Sequence, residues 1–238
     1  MQCSIALMQP YLFPYIGYFQ LINAVDRFVI HDDVQFIKAG WINRNRILVN
    51  GKDQIITFPL KKDSSFAKIN SRCWADSFQE LVKKNLRILH AAYVKAPHYS
   101  QVYSLVEEIL NYNESNVPIF ILRQLELICK YMGVSTQFIL SSSINKDNEL
   151  RSEERVIEIN KRLGSTHYIN PIGGLGLYKK DNFSKQGIKL SFIKTGPILY
   201  KQYDNEFIPD LSIIDVLMFN DVHKVQELLS CYEEVIPQ

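Results

Sequence analysis

A short polar stretch after the second apolar run of the chain holds the groups best suited to chemistry. His31, Asp32 and Asp33 come directly after the residues FVI at 28–30. Asp32 is a candidate catalytic residue, which could act as a general base or orient a ligand hydroxyl, and His31 is a second candidate. If FVI is a parallel strand, these side chains lie at its carboxyl end, where open α/β sheets bind their ligands.

The residues that follow are dense in groups that recognise phosphates and sugars. Lys38 and Arg44 are candidates for pairing with phosphate, and Trp41 is a candidate for stacking on a base or a sugar ring. The alternative is a solvated loop whose ion pairs contribute little to stability. Three side-chain amides in the same stretch are candidate hydrogen-bond donors to a substrate: those of Gln35, Asn43 and Asn45.

A loop after the first apolar run is a second candidate for the site. MQPYLFPYIGYF begins at Met8, and its two prolines restrict its shape before a predicted helix whose free N–H groups suit an anion. Gln9 would end the first strand beside Asp32 of the neighbouring strand, which makes it a candidate catalytic residue. Tyr11 is a candidate for lining the same pocket.

Two later loops also follow predicted strands. INPIGGLGLY, from Ile169, would let the backbone approach a ligand at Gly173 and Gly174, with Tyr178 reaching back into the crevice. It is neither a GxGxxG fingerprint nor a P-loop, and a plain tight turn explains it equally well. The segment SSSINKDNELRSEER, from Ser141, is either a mobile loop that contacts phosphate or, as its composition favours, a solvated loop.

Composition argues against several classes of protein. The net charge of +2 is well short of that of a typical nucleic-acid-binding protein and argues against nucleic acid as a partner, although tRNA is not excluded. The four scattered cysteines and the unclustered histidines predict no metal site and no disulfide framework. With neither a signal-peptide pattern nor an apolar run long enough to span a bilayer, the expected location is the cytoplasm.

Alternating strand and helix patterns must position these groups. The first 34 residues predict a strand, a helix from Tyr15 and a second strand, which together make a parallel βαβ unit. Asn50-Gly51 between two apolar runs predicts a β-hairpin. Short strands and helices alternate again after residue 134, and the last predicted helix covers 223–232.

The middle of the chain is predicted to be helical. Helices are expected at about 74–89, 99–110 and 118–132, the last of them ended by Gly133. The whole pattern predicts an α/β fold: a Rossmann-like, partly parallel sheet flanked by helices, with a mostly helical middle region. We expect one domain over residues 1–238, with a helical insertion or subdomain at about 74–133.

Long N-terminal motifs resemble the signature of a known family. QPYLFPYIGYFQLI, from Gln9, and DRFVIHDDVQFIKAGWINRNRI, from Asp26, resemble the opening of the WbqC-like protein family, and the likeness continues through THYINPIGGLGLY and FIPDLSIIDVLMF. The resemblance implies a bacterial protein of O-antigen, lipopolysaccharide and other surface polysaccharide biosynthesis. This chain differs at Asn170-Pro171, where the family pattern leads us to expect a Ser-Gly pair. The difference stiffens the glycine-rich loop and points to a different substrate.

The resemblance also implies an enzyme. It is expected to be an N-acyltransferase that puts an acyl or aminoacyl group, such as glycyl, onto the amino group of a nucleotide-linked amino sugar. No cofactor is predicted apart from an activated acyl donor, a thioester or an aminoacyl ester. Because no covalent nucleophile is evident in the sequence, direct attack of the amine on the donor is the simpler mechanism.

Two other functions fit the same residues. The strand, the loop ending in PYIGY and the following helix resemble the layout of HIGH-type nucleotidyltransferases, which transfer adenylyl groups. Tyr15 and Gly17-Tyr18 stand where the paired histidines of those enzymes belong. The third possibility is a non-catalytic partner of a glycosyltransferase, in which the polar cluster at 32–46 would face a protein.

Overall fold

A six-stranded sheet and a separate hairpin carry the strands in the part of the chain that the computed structural model describes, residues 3–204 and 206–237. The strands are β1 (Ser4–Met8), β2 (Arg27–Ile30), β3 (Arg44–Val49), β4 (Lys52–Thr57), β5 (Gln137–Leu140), β6 (His167–Pro171), β7 (Lys189–Thr195) and β8 (Tyr232–Val235). The sheet order is β5-β2-β1-β6-β7-β8, and β3 pairs with β4 in the hairpin. The first five strands of the sheet are parallel and β8 is antiparallel to β7, which confirms the predicted α/β fold with a partly parallel sheet.

Helices cover both faces of the sheet. They are α1 (Ile16–Asn23), α2 (Phe78–Tyr93), α3 (Tyr99–Leu110), α4 (Val117–Met132), α5 (Ser152–Arg162), α6 (Lys180–Ser184), α7 (Ile213–Phe219) and α8 (Val222–Leu229). The core on one face joins the sheet to α1–α4, α7 and α8, and the core on the other face joins it to α5 and α6. The predicted helical middle is therefore confirmed as α2–α4, and it shares its core with the sheet.

The apolar strands are buried on both sides, as crossover helices require. In β1, Ala6 packs into the core below α1, while Ile5 and Leu7 pack into the core with α5. In β2, Phe28 and Ile30 face the first core and Val29 the second. The carboxyl ends of β1 and β2 lie side by side, because Met8 is in register with Ile30.

The predicted turn residues adopt the backbone conformations that their types favour. Asn50 and Gly51 have φ values of 51° and 73°, so the two central residues of the β3–β4 turn are both left-handed, as a type I′ hairpin needs. Gly133 ends α4 with φ 76°. Within the described residues, no helix combines the length and the apolar character needed to cross a bilayer.

Two boundaries differ from the predictions. The helix predicted at 74–89 begins at Phe78, because Trp74 is buried and paired with Leu60 across an isolated bridge. The helix predicted to reach residue 232 ends at Leu229, and β8 follows it. β8 was missed because its residues YEEV form a strand only by pairing with the edge of β7.

Candidate functional site

A crevice opens at the carboxyl edge of the sheet, where the strand order reverses. β1 lies between β2 and β6, so the chain leaves β1 toward one side of the sheet and β6 returns on the other. This topological switch point is where open α/β sheets bind ligands. The crevice has a volume of about 320 Å³. Six of the predicted site residues line it: Gln9, Tyr11, His31, Gly173, Gly174 and Tyr178.

His31 presents a neutral imidazole to this crevice. Its Nε2 is buried and has no hydrogen-bond partner among the described residues, and the nearest carboxylate oxygen of Asp33 is 3.9 Å away. Burial lowers the pKa of His31 to about 4; Arg155 and Lys146 lower it too, while Asp33 opposes them. The imidazole is therefore uncharged at neutral pH and has a nitrogen free to accept a proton or a hydrogen bond.

The low pKa of His31 predicts a loss of stability in acid. An unfolded chain takes up this proton near pH 6.5, whereas the folded protein resists it down to about 4. Because the unfolded state binds more protons between these values, stability falls as the pH drops through them, by roughly 3 kcal/mol at most. Urea unfolding across this range should show a smaller loss in His31→Asn than in the unchanged protein. Equal losses would contradict the buried, neutral state of His31.

Asp32 lies beside the crevice but its carboxylate is already engaged. One oxygen accepts a hydrogen bond from the backbone N–H of Ser142 at 2.9 Å, and the other accepts one from the Ser142 hydroxyl at 2.6 Å. Burial raises the pKa of Asp32, and the two bonds from Ser142 oppose that rise. The carboxylate thus anchors the turn after β5, and the predicted role of Asp32 as a general base stays a prediction.

Asp33 is the centre of a buried ion cluster. One of its oxygens is 2.7 Å from Lys146 Nζ and 2.6 Å from a guanidinium nitrogen of Arg155. Burial acts to raise the pKa of Asp33, but the hydrogen bond from Lys146 and the charges of Lys146 and Arg155 outweigh it, so the pKa is lowered. Lys146 also donates to the backbone carbonyl of Ser141.

This cluster refines the expectation for the loop that begins at Ser141. Most residues of the segment are exposed, as a solvated loop requires, but Lys146 and Arg155 on α5 are almost completely buried. Both cations are bound to Asp33 and hold the loop against the end of β2. The sequence carried a usable signal: if β5 pairs with β2, a Lys and an Arg after β5 come close to the two aspartates after β2.

The three side-chain amides predicted to bind substrate instead donate hydrogen bonds to backbone carbonyls of nearby loops. Asn45 is buried and donates to the carbonyls of Leu12 and Phe13 at 2.9 and 2.8 Å. Asn43 donates to the carbonyl of Phe58 at 2.7 Å, and Gln35 to that of Ser65 at 3.0 Å. These bonds position the first loop, the hairpin and the loop after β4. A catalytic role for the three amides stays a prediction.

The predicted phosphate ligands lie outside the crevice. Arg44 donates to the carbonyls of Gly40 and Ala39, and its guanidinium lies 5.6 Å from the centre of the Trp41 ring. Lys38 is exposed on the loop that precedes Trp41, and neither Lys38 nor Arg44 lines the crevice. The structure therefore does not bring these two cations to the crevice.

A second, smaller cavity of about 280 Å³ adjoins the crevice. Tyr11 lines both spaces, so it forms part of the wall between them. The cavity has aromatic walls, and Arg46 and Asp210 supply the charged groups. Its lining residues are Tyr11, Pro14, Tyr15, Trp41, Asn45, Arg46 and Asp210.

The glycine-rich loop folds as a 3₁₀ turn, Ile172–Leu177. Asn170 is buried and donates to the Tyr168 hydroxyl at 2.9 Å. A β-carbon at Gly174 would lie 3.1 Å from the Asn170 side chain, whereas one at Gly173 would meet no atom within 4 Å. A β-carbon at Gly174 would therefore crowd the Asn170 side chain, whereas Gly173 leaves open space at the crevice.

No metal centre is evident at the site. Within residues 3–204 and 206–237, no group of three or more His, Cys, Asp or Glu side chains is arranged to hold a metal ion. The chemistry that the residues of the crevice can supply is proton acceptance by His31 and hydrogen bonding by the polar side chains around it, including Gln9.

Comparisons with known proteins identify relatives but no activity. The model of the WbqC-like protein family matches residues 9–227. The chain is 30% identical over 219 residues to the uncharacterized protein Rv1507c of Mycobacterium tuberculosis, covering 91% of this chain and 93% of that protein. No solved structure matches the chain.

Proposed function

This chain belongs to the WbqC-like protein family, and we propose that it is an enzyme of surface polysaccharide biosynthesis that acylates the amino group of a nucleotide-linked sugar. The proposed acyl donor is an activated ester or thioester, with an aminoacyl group such as glycyl as one form. The observation that carries the proposal is the His31 imidazole, which lines the switch-point crevice and which burial keeps neutral.

The proposed reaction is a direct transfer. The amine nitrogen attacks the acyl carbon, a C–N bond forms, and the bond from the acyl carbon to the sulfur or oxygen of the donor breaks. The His31 imidazole accepts the proton that the amine loses and returns it to the leaving group. A weakly basic imidazole is adequate for this step, because the amine N–H becomes strongly acidic as the C–N bond forms.

Other residues of the crevice would orient the substrate. The Gln9 side-chain amide forms no hydrogen bond with the described part of the chain and lines the crevice beside His31, so it can donate to the developing oxyanion. A phosphate or another anion near His31 would raise its pKa and make it a stronger base. Asp32 and Asp33 act in this proposal by holding the loop after β5 in place.

A thermal-shift panel on the purified protein tests the proposed substrate class. The probes are UDP-glucosamine, acetyl-coenzyme A, and ATP with magnesium. A ligand at 100 times its dissociation constant adds about 2.7 kcal/mol to stability. We expect a shift with the nucleotide-linked amino sugar that is diminished in Gly173→Ala, since the added methyl group occupies open space at the crevice.

Gly176→Ala is the matched control. Its added β-carbon also meets no atom within 4 Å, but Gly176 does not line the crevice, so the shift should persist. A shift with ATP alone would favour adenylyl transfer instead. The absence of any shift would contradict a preformed small-molecule site and favour a non-catalytic partner of a glycosyltransferase.

A further inference from the structure

Two loops beside the site form one continuous surface, which we call the paired loops: residues 34–41 and 61–70. Phe36 N–H donates to the Ala67 carbonyl at 3.1 Å, and Ile69 N–H donates to the Val34 carbonyl at 2.8 Å. Arg72 stacks its guanidinium 4.7 Å from the centre of the Phe36 ring and donates to the Ser64 carbonyl at 2.7 Å. These contacts hold the two loops together.

The paired loops expose two large apolar side chains. Phe66 is 80% exposed, the largest fraction among the exposed large hydrophobic side chains of the described residues, and Ile37 is 61% exposed. A single exposed apolar side chain is ordinary in a folded protein. Two of them on loops that are hydrogen-bonded to each other, with lysines adjacent in sequence, form a more specific pattern.

The surroundings of these side chains are basic. Residues 34–72 hold eight Lys and Arg against two Asp, although the whole chain carries a net charge of only +2. Of the two acids, Asp63 lies 3.9 Å from Arg72 and Asp53 lies 3.5 Å from Arg46. Three exposed lysines on the paired loops form no ion pair with the described residues: Lys38, Lys62 and Lys68.

We propose that the paired loops dock this protein onto an anionic bilayer surface. Phe66 and Ile37 insert into the interface, and Lys38, Lys62 and Lys68 contact the phosphates of the head groups. Apolar tips flanked by lysines are complementary to both layers of such a surface. RNA shares the phosphate chemistry, and Phe66 offers a ring on which a base could stack, but Ile37 offers none.

This docking would set the crevice near the membrane. The first of the paired loops begins directly after Asp33, and the backbone carbonyl of Trp41 accepts a hydrogen bond from Leu12 N–H at 3.1 Å, which ties it to the first loop of the site. Docking at the membrane surface does not depend on the proposed acyl transfer.

Vesicle co-sedimentation of the full chain tests the docking. The vesicles are phosphatidylcholine alone and phosphatidylcholine mixed with phosphatidylglycerol. We expect binding to the anionic vesicles only. The triple variant Lys38→Gln, Lys62→Gln, Lys68→Gln should bind roughly 100-fold more weakly, from about fivefold for each lysine. The double variant Ile37→Ser, Phe66→Ser should weaken binding by at least about tenfold.

Matched control variants test whether binding depends on the paired loops or on any exposed apolar or basic side chain. Leu199→Ser removes an apolar side chain that is 70% exposed elsewhere, and Lys83→Gln, Lys84→Gln removes two exposed charges on α2. Both controls should bind like the unchanged protein. Tryptophan emission should shift to the blue on binding, because Trp41, the last residue of the first paired loop, is 37% exposed while Trp74 is buried.

Several results would overturn the docking. They are the absence of binding to the anionic vesicles, binding of the double apolar variant equal to that of the unchanged protein, and equal weakening in the controls. Binding to a single-stranded RNA oligonucleotide without binding to vesicles would assign the lysines to nucleic acid and also overturn the proposal.

Discussion

Replacing Asp33 by alanine should lower the free energy of unfolding by about 3–5 kcal/mol, because the change leaves two buried cations without their counter-ion. Lys146 Nζ and the Arg155 guanidinium are 2.7 and 2.6 Å from the Asp33 carboxylate, and both side chains are buried. Urea denaturation of the variant and of the unchanged protein measures the difference. The loop after β5 should also become more susceptible to limited proteolysis, since the ion cluster holds it against β2.

Asp53→Ala is the control for this experiment. Asp53 also pairs with an arginine, Arg46 at 3.5 Å, but its side chain is 49% exposed, so the loss should be within about 1 kcal/mol. A loss of that small size for Asp33→Ala would mean that the cluster does not hold the loop. A second variant, Lys146→Met, should also destabilise the protein, because it leaves Asp33 with Arg155 alone in a buried setting.

Replacing His31 by asparagine should lower the turnover number by about 10²–10⁴-fold, the usual contribution of a general base. This expectation rests on the proposed acyl transfer. The turnover number and the Michaelis constant of the variant and of the unchanged protein are measured separately, with a nucleotide-linked amino sugar and an activated acyl donor. The Michaelis constant should change little, since the role assigned to His31 is proton acceptance.

The pH profile distinguishes this role from a structural one. Because burial lowers the pKa of His31 to about 4, the ratio kcat/KM, which reports the free enzyme, should show no break at the ordinary value of 6.5 and should fall only at lower pH. His223→Asn is the control, since that side chain is 84% exposed. Unchanged turnover in His31→Asn, with a large loss in Asp32→Asn, would return the role of base to Asp32.

Local sequence signals were enough to predict much of the fold. Side chains of β1 and β2 point alternately into two apolar cores, so both strands are apolar throughout and their sequences predict buried strands. Asn50-Gly51 and Gly133 marked a turn and a helix end, because their left-handed backbone favours these residue types. The loops that follow β1, β2 and β6 were therefore correctly expected at one edge of the sheet, and six of the predicted site residues meet there.

The tertiary structure decided which polar groups remain available. Asp32 and Asp33 looked alike in the sequence, yet one is bound by Ser142, 110 residues away in the chain, and the other by Lys146 and Arg155. Asn45 resembled a ligand donor and instead bonds to the backbone of the first loop. Sequence patterns determine local backbone conformation, but the partner of a side chain depends on which distant strands lie side by side. His31 stands out as a candidate base because it lines the crevice while the burial that the fold imposes lowers the pKa of its imidazole.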